Sequence, residues 1–69
     1  MKIKNYGKSE LAMLYREDIS PDAARHYLMG LITSHPELYP ALQRSGYKLT
    51  QRFFTSYQVR LIVEYLGEP

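Results

Sequence analysis

Apolar residues recur at helical spacing in three long stretches of this chain, and each stretch ends at a polar turn, a proline or a glycine. The first stretch runs from about Lys8 to Tyr15 and carries the stripe Leu11, Leu14 and Tyr15. Arg16-Glu17-Asp18 follows as a short polar turn. A second helix opens at Ser20-Pro21. Serine fits the N-cap, proline the first helical position, and Asp22 the positive end of the helix dipole. Its apolar positions, Ala24, Tyr27, Leu28, Leu31 and Ile32, have the spacing of one amphipathic face. Asp22, Arg25, His26 and Met29 are assigned to the outer face. The helix should stop near Thr33-Ser34, because Pro36 pushes His35 away from helical dihedrals.

The second half of the chain is more punctuated. A short third helix is expected from Pro40 to Ser45, with Gly46 at its C′ position. Tyr47–Phe54, rich in aromatic and β-branched residues, reads as extended. Ile3 between Lys2 and Lys4 suggests a brief edge strand that Gly7 breaks. The last helix has the clearest start, since Thr55 with Gln58 three residues on forms a capping box. Val59, Ile62, Val63 and Leu66 make one stripe, with Tyr57, Leu61 and Tyr65 beside it, and Gly67 and Pro69 end it. The apolar sector is wide enough to serve either the core or a partner.

With 69 residues the chain is expected to be one domain, residues 1–69, and a complete small protein. A domain of this size buries only about 60% of its unfolded surface, so a dimer or larger partner would help its stability. It has no cysteine, which excludes disulfides, thiol catalysis and cysteine-based zinc sites. No signal peptide or membrane-spanning run is visible, and a cytoplasmic protein is expected. Catalysis is not expected. His26 and His35 fall on different elements without a carboxylate at ligand spacing, so no metal or cofactor is expected. Glu17-Asp18 reads as a solvated turn, and Ser9, Ser20, Ser34 and Ser56 as caps or turn residues. Of the tyrosines, Tyr15 and Tyr27 are assigned to core faces, while Tyr6, Tyr39 and Tyr47 stay unassigned in turns.

Charge is distributed unevenly. The formal net charge is +2. Lys2 and Lys4 make the first seven residues basic, whereas Lys8–Ile32 holds Lys8, Arg16 and Arg25 against Glu10, Glu17, Asp18 and Asp22. Arg44, Lys48, Arg52 and Arg60 lie in Pro40–Val63, which contains no acid. Two helices joined by a tight turn are a device for placing a helix in the DNA major groove. On that reading Ser20, Asp22, Arg25, His26 and Met29 begin the groove helix, and Lys48 and Arg52, with Lys2, Lys4 and Lys8, contact the backbone.

Two family resemblances follow from these motifs. Gly46-Tyr47-Lys48 and then Arg52-x-Phe54-Thr55-x-x-Gln58-Val59-x-Leu61-Ile62 resemble the wing and following helix of the mercury-resistance-regulator family. Glu10-Leu11-Ala12 and the Ser20-led helix resemble the opening helix–turn–helix of that family and of the phage excisionases. The stretch Ala24-Arg25-His26-Tyr27 keeps only a trace of that family's groove-helix signature, and the Thr33–Ser45 link is longer. Nearly the whole chain, from Tyr6-Gly7-Lys8-Ser9-Glu10-Leu11-Ala12 to Leu66-Gly67-Glu68-Pro69, resembles a family of short bacterial proteins described only as a domain of unknown function. That resemblance implies a complete protein of this size and brings no activity.

The expected fold is mostly α, a small winged helix–turn–helix-like domain of about four helices with one short extended or hairpin element. The expected function is DNA binding or transcription accessory work through Lys8, Ser20, Arg25, His26, Lys48 and Arg52 on double-stranded DNA. The alternative is a non-enzymatic protein-interaction module that forms a homodimer or binds a protein partner through Tyr57, Leu61 and Tyr65. Neither reading involves a membrane or a small-molecule substrate.

Overall fold

The capping signals decide where the helices begin and end in the computed structural model, which describes residues 1–69. In chain order the elements are β1 (Tyr6–Gly7), α1 (Lys8–Tyr15), α2 (Pro21–Ser34), α3 (Leu38–Arg44), β2 (Phe53–Phe54) and α4 (Ser56–Leu66). The Ser20 hydroxyl accepts the Ala23 N–H at 3.2 Å and starts α2. Thr55 Oγ1 accepts from Gln58 N while Gln58 Oε1 accepts from Thr55 N, so both halves of the α4 capping box are made. Gly67, at φ +86°, ends α4 by donating its N–H to the Val63 carbonyl.

The third helix starts two residues earlier than the prolines suggest. His35 Nδ1 accepts the N–H groups of Glu37 (3.1 Å) and Leu38 (3.0 Å), so an imidazole supplies the cap that the sequence pattern lacks. At the other end, Gly46 at φ +93° allows Gly46 N–H to reach Gln43 O and Tyr47 N–H to reach Leu42 O. That pair of bonds is a Schellman motif, and the buried Tyr47 and Leu42 supply its apolar contact.

The fold is mostly α, with four helices and one short two-stranded antiparallel ribbon, compatible with a winged helix–turn–helix shape. The ribbon pairs Tyr6 with Phe54 and Gly7 with Phe53. The strand is therefore not at Lys2-Ile3-Lys4, where Ile3 stays exposed, but where Tyr6 turns its ring into the core. Of the Tyr47–Phe54 stretch only Phe53–Phe54 is strand. Lys48–Arg52 is a loop whose turn closes with Gln51 N–H on Lys48 O, because α1 begins directly after Gly7 and leaves β2 only two residues to pair with.

The core joins Leu11 and Ala12 of α1, Ala24, Leu28 and Ile32 of α2, Leu38 and Leu42 of α3, and Val59 and Ile62 of α4. Tyr6, Tyr47 and Phe54 close it from the loops and ribbon. The helical faces are rotated from the expected ones. On α1 the buried pair is Leu11 and Ala12, and Leu14 is exposed. On α2 the contact row is Ala24, Leu28, Ile32, one residue per turn, while Tyr27 and Leu31 face outward. Met29, assigned to the outer face, packs inward instead, and its sulfur accepts from the Tyr47 hydroxyl. A helix wedged between α1 and α3 buries a narrow row on its line of contact, so apolar residues at the row's margin are left out. Tyr27 is covered from outside by the Arg16 guanidinium, 4.7 Å from its ring centroid. No helix is long and apolar enough to cross a membrane.

Candidate functional site

The 48–52 loop is laced to the first turn of α1. Lys8 N–H donates to Arg52 O at 3.2 Å, and Lys8 Nζ donates to Leu49 O at 2.8 Å. The same ammonium lies 4.9 Å from the centroid of the Tyr47 ring and 6.0 Å from that of Phe54. Tyr47 and Phe54 stack on each other and so form a fixed aromatic wall. From behind, Gln58 holds the loop. Its Oε1 accepts from Gln51 Nε2 at 2.7 Å and its Nε2 donates to Ser45 Oγ at 3.1 Å, while Gln51 Nε2 also reaches Phe53 O.

These ties leave a pocket of about 280 Å³ at the surface. Lys8 and Ser9 of α1 form one side, Arg25 of α2 another, and Leu49, Thr50, Gln51 and Arg52 of the loop the third. Three cationic residues from three separate segments line it, and no acidic residue does. The Lys8 pKa is lowered by burial of the ammonium and, second, by the Arg25 charge beside it. Arg25 itself makes an ion pair of 3.5 Å with the exposed Asp22. Arg16 and Asp18 are paired more closely, at 2.9 Å, and Asp18 is held below the ordinary carboxylate range by the Arg16 hydrogen bond. Two of the acids around the α1–α2 turn are thus engaged by their own neighbours.

The expected site residues divide accordingly. Lys8, Arg25 and Arg52 come together, but Lys8 is only 8% exposed, so it is an anchored floor of the pocket and not a free surface base. Lys48 is exposed at the start of the loop, outside the pocket. His26 is exposed on α2, and the Ser20 hydroxyl oxygen is occupied as the helix cap. Lys2 and Lys4 do not line the pocket, and Lys4 lies over the Tyr6 ring. On α4, Tyr57 is exposed and Tyr65 sits edge-on to His35, while Leu61 packs against the core. Ser9, Thr50 and Gln51 belong to the site without having been expected there. No spacing rule marks a polar residue of α1 or of the loop as lining a pocket until the loop's path over α1 is known.

Lys8 has a measurable consequence. Its folded pKa lies below the free value of 10.5, so the folded chain releases a proton that the unfolded chain still holds. Stability from this group should therefore rise only as pH climbs through the folded pKa toward 10.5. Tyr47 acts in the opposite sense higher up, because burial pushes its phenol from 10.0 to about 12 and stability falls as pH climbs through that interval. The urea midpoint of the natural chain, taken relative to that of Lys8→Met at the same pH, should rise as pH climbs from about 8 toward about 10. Identical slopes would contradict a buried, electrostatically strained Lys8.

A family model described as "Domain of unknown function (DUF4248)" matches residues 2–69. No curated protein and no solved structure matches the chain.

Proposed function

The chain belongs to the DUF4248 family, and we propose that it is a small DNA-binding protein that grips the phosphate backbone through its cationic pocket. One observation carries this reading: Arg25 of α2, Lys8 of α1 and Arg52 of the basic loop converge on one acid-free concavity. A helix and a wing-like loop that share a cationic site match the needs of a polyanion, whose affinity comes mainly from neutralised phosphates and released counterions. Arg25 and His26 on α2 then lie next to the groove, and Lys48 extends the backbone contact beyond the pocket. The rival reading, a protein-interaction module on α4, has the exposed rings of Tyr57 and Tyr65 in its favour. Leu61 between them is only partly exposed, since one side of it packs against the core.

Fluorescence anisotropy of a labelled duplex across a salt series tests the proposal. Binding should weaken steeply with salt, and the Arg25→Ala/Arg52→Ala double variant should flatten the log–log slope by about two. Undetectable binding at low salt would sink it.

A further inference from the structure

We propose that the pocket is a phosphomonoester site, so that the chain binds a DNA end bearing a 5′-phosphate in preference to an end bearing a hydroxyl. This inference rests on the DNA reading above and narrows it.

The charge count favours a dianion. Lys8, Arg25 and Arg52 line the pocket, and the one acid that pairs with any of them, Asp22, is exposed and 3.5 Å from Arg25. An internal phosphodiester brings one negative charge and two free oxygens. A phosphomonoester brings nearly two charges near neutral pH and three acceptor oxygens, one for each base. Ser9 and Thr50 add hydroxyl donors at the rim.

The shape admits either group. A continuous strand needs an open channel along which the backbone enters and leaves. A concavity of about 280 Å³, bordered by α1, α2 and the loop and open to solvent on its outer side, has room for a terminal phosphate as well as for a backbone phosphate at its mouth.

Lys8 supplies a fixed positive charge at the pocket. Leu49 O and the Tyr47 ring hold its ammonium in place, and it is poorly hydrated. A hydrogen bond from such a group to an anion is stronger than one from a lysine in open water.

The test titrates the full chain with two duplexes identical except at their ends, one with 5′-phosphates and one with 5′-hydroxyls, in phosphate-free buffer. The phosphorylated duplex should bind about tenfold more tightly, the effect of one added charge-assisted contact. Arg52→Ala removes an exposed side chain and should abolish most of that preference. Arg60→Ala, on α4 and outside the pocket, should keep it. Equal affinity of the natural chain for both duplexes overturns the end preference and leaves the DNA reading standing. No binding to either duplex overturns both. A preference that survives Arg52→Ala with an unchanged circular-dichroism spectrum places the end contact elsewhere and overturns the pocket assignment.

Discussion

Phe54→Ala is expected to be the most destabilising single truncation in the chain and to lower its urea midpoint severely. The Phe54 ring is fully buried, stacks on Tyr47 with centroids 5.5 Å apart, and sits on the one strand that crosses from the ribbon to α4. Truncating a buried phenylalanine costs about 3–5 kcal/mol, the lost transfer energy plus the cavity left behind. A domain of this length has roughly 3–10 kcal/mol of stability in total. The loss is therefore at least about a third of the fold's stability and at the lower end all of it. It also removes one wall from Lys8, so the cationic pocket should disappear with the core. Phe54→Leu, which keeps most of the volume, should fold with a lowered midpoint. Far-UV circular dichroism with urea titration decides the matter, and a Phe54→Ala midpoint equal to that of the natural chain would show that Phe54 does not organise the core.

Gln58→Leu should have the second largest effect, and it should be partly local. Gln58 is 3% exposed, and its amide joins three segments: the α4 cap at Thr55, the end of α3 at Ser45, and the basic loop at Gln51. Leucine fills the space but offers no acceptor and no donor. A loss of about 1–3 kcal/mol is expected from the unpaired groups, with half of the capping box lost as well. The loop should open more often than the rest of the chain. Limited trypsin digestion under native conditions reads this directly, since both flanks of the loop are basic, and cleavage after Lys48 and Arg52 should speed up more than cleavage after Arg16 or Arg25. Uniform acceleration at all four sites would mean that Gln58 supports the fold generally and not the loop.

These two residues show how far local pattern reaches. The capping box of Thr55 and Gln58 is legible because its two bonds connect residues three apart in sequence. The bonds from Gln58 to Gln51 and Ser45 are not, since nothing in the sequence says that those side chains will be near. The same holds for His35, a cap of α3 through a ring nitrogen, in a position that reads only as a residue before proline. Tyr6 and Tyr47, unassigned from sequence, are both core residues, because the ribbon and the Schellman turn aim them inward.

Short-range physics thus set the four helices, their caps and their stops: Ser20, Pro21, Thr55, Gly46 and Gly67 act on backbone groups within a few residues of themselves. The all-helical character with one small extended element follows from those signals. Tertiary packing decided which flank of each amphipathic face is buried, turning Met29 inward and Leu14, Tyr27 and Leu31 outward. It also decided the site. Lys8, Arg25 and Arg52 are 17 and 27 residues apart along the chain, and only the closing of β1 on β2 and of α1 on α2 brings their charges together. Hydrophobic burial drives that closure without regard to the cations it gathers. A charge cluster made in this way leaves no periodic trace in the amino-acid order.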